Sequence, residues 1–538
     1  MRAFLDKVFV GLLGLCLIAR LFIETSLKNF GPLGAHKIGD LSIDLFVMAL
    51  VFLYFLKKLI LNEKIILPWA WLILVLFGCI CTASIFYSID VPTSILGVFD
   101  LWAFIFLVGL LINLLDSLKN IQIIVFFLMA VALMASGEAL YEYFFQLPWY
   151  IAHANPQMLN GHRDLEQLIL THRTPTLFLW PNTMAGFLIM VLPLCAALFV
   201  QASQIRYKIL SALIGGILIY TLFIELSIST WISLFLAVGI LVIYFKDHFL
   251  NKNSSKWVMG GVALLALGVV VVVIKKISFS YSNSFSSRQD FFMNAFYLIG
   301  QHPLRGNGWS SFGTASAPFA QNANGLTNYA HNSYIQIFAE TGLLGFFVFT
   351  VFLVFLWKDA MLLIKEKKYR WLLLGLWTAI AACMLDNSFS YTMLLPNSAL
   401  YWWVIVGISL SLQAVIEPSR SIIVGMRSKI FFAVASLCLL GMGFRFTQAE
   451  YYYFTALPYI HANIEGKKAV TLFQKADALN PWDKKFELAE SVAYYELFSN
   501  SGDKKYLELA HETVLKTMGQ ASLGAERQAV LDRITTAS

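Results

Sequence analysis

The chain has 538 residues, of which 59% are hydrophobic and only 13% are charged. Soluble domains carry about 25% charged residues, so the composition excludes a string of water-facing globular units and points to a bilayer protein. The net charge of +7 sits mostly in short polar segments between apolar runs, the pattern of membrane anchors rather than of a nucleic-acid-binding face.

In chain order, apolar runs of spanning length appear at 8–24, 42–61, 67–87, 94–115 and 121–145. The first lacks a small-residue cleavage pattern and is expected to stay as a span. A long loop, 146–182, follows. Runs at 183–201, 208–225, 228–246 and 257–275 lead to a second long loop, 276–332. The last four, at 333–357, 370–389, 398–416 and 428–446, bring the total to thirteen. The expected fold is therefore an all-α polytopic membrane protein of about 12–13 spans, with a membrane domain over 1–446. With the N-terminus inside, the inner segments hold 19 Lys and Arg against 8 outside, and "WKDAMLLIKEKKYR" alone contributes five. Both long loops and the tail then lie on the outer, extracytoplasmic side. Cys16, Cys79, Cys81, Cys195, Cys383 and Cys438 all fall in predicted spans and read as apolar filler.

The tail, 447–538, changes character, with 12 acidic and 10 basic residues. "AVTLFQKADALNPWDKKFELAESVAYYELF" has the small/large alternation and "LNP" punctuation of a tetratricopeptide-like helix pair. It reads either as a short helical cap or as a repeat that binds a protein partner.

Loops of such length are usually functional, and the distinctive chemistry collects in these two. Arg163 and Arg173 lie in the first, and Arg288 and Arg305 in the second. Their planar guanidinium groups suit phosphate oxygens, and a salt bridge to Asp164, Glu166 or Asp290 is the alternative. Gly306 and Gly308 in "GNGWSSFG" could let backbone N–H groups approach an anion, or could form a turn packed beneath Trp309 and Phe312. His302 could orient that loop. His331 can relay a proton near neutral pH, or serve as a structural group. Asn332 could cap the next helix. With Gln336 and Glu340 it makes a polar stripe at four-residue spacing, the carboxylate about 12 Å further along the helix. An ionisable group inside a span marks function or a partner. No metal-binding motif such as HExxH or CxxC is present, and no cofactor is expected. A Ser-His-Asp hydrolase would lack its GxSxG elbow.

Taken together, "HPLRGNGWSSF" and "HNSYIQIFAETGLLG", with the arginine upstream, resemble the signature loop of the O-antigen ligase and polymerase superfamily. The pattern falls on Arg288, His302, Pro303, Gly306, Gly308, His331, Asn332, Tyr334, Glu340, Gly342 and Gly345. "RTPTLFLWPNTMAGFL" is similar to the family's first-loop motif through Arg173, Pro181, Asn182 and Ala185, with Pro175-Thr176 where Gly-Thr is usual. "LSISTWISLF" departs from it, placing Thr230-Trp231 where the family has Arg-Gly.

The resemblance implies a GT-C-like, inverting, metal-independent glycosyltransferase on the outer face of the bacterial inner membrane. Its donor would be an undecaprenyl-diphosphate-linked glycan and its acceptor a glycolipid hydroxyl, as in lipopolysaccharide ligation. In that reading Arg173, Arg288, Arg305 and Arg163, with Gly306 and Gly308, bind the diphosphate. His331, Arg288 and Glu340 are catalytic, and Asn182, His302, Asn332 and Tyr334 position the substrates. Three alternatives stay open: a repeat-unit polymerase, transfer to protein hydroxyls, and a polysaccharide transporter or flippase. Against the last, no internal duplication with midplane broken helices is visible.

Overall fold

The computed structural model describes residues 2–30, 36–153, 173–174, 177–178, 180–244, four positions between 268 and 274, 282–320, 327–363, 368–461 and 465–537. Two helices, α1 (Arg2–Phe30) and α2 (His36–Ile60), open the chain. A short strand, β1 (Ile65–Pro68), leads into α3 (Trp69–Ser84) and α4 (Val91–Leu114). Next come α5 (Leu118–Tyr141), a π-helical turn at Glu142–Gln146 and α6 (Leu147–His153), so this helical path runs beyond the span end expected at 145. The central helices are α7 (Pro181–Gln201), α8 (Ile205–Ile224), α9 (Ile228–Tyr244), α10 (Ser282–Gln301) and the short α11 (Phe312–Ser316). Then follow α12 (Ser333–Leu363), α13 (Arg370–Asp386), α14 (Pro396–Ile416), the strand β2 (Ser421–Val424) and α15 (Met426–His461). The tail is α16 (Gly466–Leu479), α17 (Lys485–Ser501), α18 (Lys504–Leu515) and α19 (Gly524–Ala537).

Helices occupy twelve of the thirteen expected spans, and 257–275 falls almost wholly outside the described residues. Among the described residues, eight helices are long and apolar enough to cross a membrane. The expected span at 228–246 is described as helix over Ile228–Tyr244, and a 17-residue helix, Arg370–Asp386, replaces that expected at 370–389. Among the described residues the fold is all-α apart from β1 and β2, which pair antiparallel with Ile65 opposite Val424.

Helix α14 is apolar all round and is wrapped by its neighbours, burying Trp402 and Tyr401 completely, as such a helix must be. Where helices approach closely, small residues allow it: a Cβ on Gly375 of α13 would stand 2.7 Å from the Cβ of Ala197 in α7. Caps mark the starts. Asp90 accepts the Thr93 N–H at 3.4 Å ahead of α4, and Ser117 accepts that of Asn120 at 3.3 Å ahead of α5.

The bundle has two distinct ends. At one end Lys57 pairs with Asp6 and lies 3.4 Å from Glu63, Lys58 lies 3.2 Å from Glu63, and Lys429 reaches Asn62 at 3.0 Å beside the small sheet. At the other end Ser84, closing α3, accepts the Trp309 N–H at 2.9 Å. That second end carries the Gly306–Ser316 turn, the start of α12 and the tail. The tail reaches it on α15, which begins beside Asn62 and is 36 residues long, about 54 Å at ~1.5 Å per residue. A 30 Å hydrocarbon core leaves the last part of this helix outside. Lys485 pairs with Glu450 and so fixes α17 against it. Gly502, with φ 68°, closes α17 in the left-handed conformation, and Asp503 caps α18 by accepting the Lys505 N–H at 3.0 Å.

Candidate functional site

The first turn of α12 is stitched to the segment that follows α13. Asn332 caps the helix, accepting the N–H groups of Tyr334 at 3.0 Å and Ile335 at 3.1 Å, and donates to the Ser388 carbonyl at 2.9 Å. The Ser333 N–H donates to the Asn387 carbonyl at 2.9 Å and its hydroxyl to Asn387 Oδ1 at 2.7 Å. The Tyr334 hydroxyl donates to the Met384 carbonyl at 2.6 Å. These bonds bring Tyr391 against His331. The imidazole stacks on Phe291 with ring centres 5.0 Å apart and meets Tyr391 edge-on at 4.7 Å, while Tyr391 stacks on Tyr329 at 4.5 Å. Phe291 lies one turn after Arg288 on α10, and burial followed by the Arg288 charge lowers the His331 pKa to about 3. His331 also holds φ 55°, a left-handed conformation that a non-glycine residue keeps only when its surroundings impose it.

Next to this group lies Asp386, at the end of α13 and fully buried, which the sequence reading passed over. It accepts from Thr230 at 3.1 Å and Thr392 at 3.4 Å, is hydrogen-bonded by Ser229, and feels the Arg288 charge. Thr230 therefore meets a carboxylate partner at the place where the family arginine is expected. Helix α7 brings in the first long loop. A Cβ on Gly186 would stand 3.2 Å from Asp386 Oδ2, and one turn earlier Asn182 accepts from Arg173 Nη2 at 2.8 Å. Arg173 Nε also donates to the Glu225 carbonyl at 2.8 Å, and Thr174 donates to the Glu225 carboxylate at 3.0 Å. Arg173 and Asn182 thus connect through α7 and Asp386 to Arg288 and His331. Arg163 lies outside the described residues.

Glu340 faces elsewhere. Its carboxylate accepts the Ser310 N–H at 2.9 Å, the Phe312 N–H at 3.3 Å and Gln336 Nε2 at 3.0 Å, and it is 2% exposed. The polar stripe expected along α12 exists, but it latches the Gly306–Ser316 turn instead of lining an open cavity. The glycines serve the same contact. Gly306 (φ 76°) donates to the His302 carbonyl and Gly308 (φ 110°) to the Glu340 carbonyl, both at 2.9 Å. A Cβ on Gly306 would come within 2.3 Å of the Glu340 carbonyl oxygen, and one on Gly342 (φ 66°) within 2.3 Å of the Leu304 backbone. Both N–H groups are thus engaged by protein carbonyls. Arg305 is exposed on the rim, its guanidinium 5.3 Å from the centre of the Tyr87 ring, and half-buried His302 contributes its carbonyl to the turn.

A second set of ionisable groups went unnoticed in the sequence. Arg20 pairs with Asp40, and Asp44, one turn deeper, hydrogen-bonds to Asp100 of α4. Tyr329 lies near enough to feel Asp40 and Asp100. The signal was available for Arg20, Asp44 and Asp100, each a charge within an apolar run.

Among comparisons with known proteins, residues 213–350 match the family model described as O-Antigen ligase. The matched stretch holds Thr230, Arg288, His302, Arg305, Gly306, Gly308, His331, Asn332, Tyr334 and Glu340, while Arg173, Asn182 and Asp386 lie beyond it. No curated protein matches the chain.

Proposed function

Taking as premise that residues 213–350 are those of an O-antigen ligase family protein, we propose that the chain transfers a glycan from a polyprenyl-diphosphate donor to an acceptor hydroxyl. The observation that carries the reading is the convergence of Arg288, His331 and Asp386 where elements from both long loops meet. The reaction would take place at the end of the bundle opposite the Lys57–Glu63 cluster, and the distribution of basic residues supports reading that end as the outer face of the inner membrane.

In this mechanism Arg288 holds the diphosphate and offsets the negative charge that grows on it as the bond from the sugar's anomeric carbon to oxygen breaks. Asp386, held by Thr230, Ser229 and Thr392, adds an attractive charge toward the guanidinium. Arg173 adds positive charge from beside the start of α7 and holds Asn182. His331, neutral in the empty site, accepts a hydrogen bond from the acceptor hydroxyl. The donor's negative charge offsets that of Arg288, the smaller of the two causes of the low His331 pKa, and so favours passage of the hydroxyl proton to the imidazole as the new bond forms. The hydroxyl oxygen bonds to the anomeric carbon from the face opposite the diphosphate, which leaves with the electron pair, so the centre inverts. Diphosphate is a good leaving group, so positioning and charge carry most of the rate and the reaction proceeds without a metal. Glu340, Asn332 and Tyr334 act by holding the loop and the helix start in register.

The test is reconstitution with lipid-linked glycan, EDTA and separate acceptors: lipid A core, a protein, and a second lipid-linked glycan. Product on one of these identifies ligase, protein transferase or polymerase. Arg288→Ala and His331→Ala should each abolish transfer while the protein is still made and remains monodisperse. Near-normal transfer by both variants would overturn the assignment, and directional glycan transport without transfer would favour a flippase.

A further inference from the structure

The tail and the membrane domain meet at a cleft of about 310 Å³. On the tail side it is walled by Trp482, Lys484, Lys516 and Gln520, and on the other by Ser88 and Pro92 from the connection between α3 and α4. Trp482 is 46% exposed, a large apolar surface beside a junction that could have buried it. Lys484 pairs with Glu487 at 3.1 Å and Lys516 with Glu512 at 3.5 Å, Asp477 feels both ammonium charges, and among the described residues no carboxylate belongs to the cleft lining itself. The connection forming the floor is also the backing of the latched turn. The Ile89 N–H donates to the Asn307 carbonyl at 3.2 Å, Asp90 accepts from Thr314 at 2.7 Å, and a Cβ on Gly308 would come within 2.3 Å of Ser88 Oγ.

We propose that this cleft is a binding subsite for an anionic glycan, a saccharide bearing carboxylate or phosphate groups. The proposal rests on the glycan-transfer reading and adds the chemistry of the chain being handled. An indole face is a flat, polarisable surface for the C–H face of a sugar ring, and its N–H remains for a polar neighbour. The two ammonium groups, each held by a carboxylate outside the lining, present their remaining N–H donors to a negatively charged substituent. The volume is at the lower end of that of small-ligand sites, enough for one or two sugar rings. Because floor and latched turn share one segment, a chain seated here would lie against the loop that leads to His331.

The experiment uses the full-length protein in nanodiscs of zwitterionic lipid and measures binding by thermophoresis. The probes are a short oligosaccharide of uronic acid units, its carboxyl-reduced neutral counterpart, and glycerol phosphate. The wild type should bind the acidic oligosaccharide about tenfold or more tightly than the neutral one. Trp482→Ala, and separately Lys484→Ala with Lys516→Ala, should each weaken binding about tenfold. These side chains are solvent-accessible, and an unchanged melting temperature checks that each variant folds. His331→Ala should bind as the wild type does, which separates failure of the cleft from failure of the transfer mechanism. Absent binding, equal binding of the neutral sugar, equal binding of glycerol phosphate, loss in His331→Ala, or full binding by the cleft variants would each overturn the proposal.

Discussion

Replacing Glu340 by alanine leaves three buried donors, the N–H groups of Ser310 and Phe312 and Gln336 Nε2, without their acceptor. A stranded buried donor costs about 1–3 kcal/mol. Relaxation and an entering water recover part of this, so the loss should be about 3–5 kcal/mol, concentrated in the Gly306–Ser316 turn, where Ser310 already holds φ 64°. Glu340→Gln keeps one acceptor oxygen and should cost about 1–2 kcal/mol. The assay is hydrogen exchange at 308–312 in detergent, read beside the melting temperature and glycan transfer. The alanine variant should exchange there roughly a hundredfold faster or more, and the glutamine variant should stay within about tenfold of wild type and retain much of the transfer. Unchanged exchange in Glu340→Ala would refute the latch. An inactive Glu340→Gln with its turn still protected would instead make the carboxylate a participant in the chemistry.

Gly306→Ala and Gly342→Ala each place a Cβ 2.3 Å from backbone in a left-handed conformation and should destabilise by more than about 3 kcal/mol, whereas Gly300→Ala, with open space at its Cβ, should be neutral or slightly stabilising in melting experiments. Asp386→Asn keeps an acceptor for Thr230 and Ser229 but removes the charge beside Arg288, so the protein should fold while transfer falls about tenfold or more; Asp386→Leu should also lose about 1–3 kcal/mol of stability. His331 titrates near 6.5 when unfolded and near 3 when folded, so the unfolded chain takes up a proton in that window that the folded chain refuses. The stabilising contribution of the neutral imidazole is complete above pH 6.5 and is lost toward pH 3 at up to about 1.4 kcal/mol per unit. Melting temperatures at pH 7.5 and 5.0 should therefore diverge less in His331→Asn than in the wild type.

The helices and the importance of the two long loops were legible because apolar length and clustered polar chemistry are local signals. The role of Glu340 was not, since its position in an apolar run announces a partner without saying which, and the partner is backbone 28 to 30 residues away. Asp386 carried the same signal inside the run expected at 370–389, but no motif in the sequence tied it to the two long loops. Gly306 and Gly308 fit an anion cradle in sequence, but in the folded turn the Gly306 N–H bonds the His302 carbonyl and the Gly308 N–H the Glu340 carbonyl of α12. Helix ends were hardest to place: α15 was expected to stop at 446 and runs to His461 because its tyrosines and Glu450 pack on the tail.

That α15 runs unbroken from beside Asn62 into the tail turns residue count into an angle. One residue inserted after Thr447 would swing everything beyond it by 100° and lift it by ~1.5 Å, carrying Trp482 away from Pro92. Four inserted residues would return it to within about 40° of its original heading, some 6 Å higher. The shaft thus acts as an indexing rod, and evolution can lengthen or shorten it only in steps near a whole helical turn without disengaging the tail.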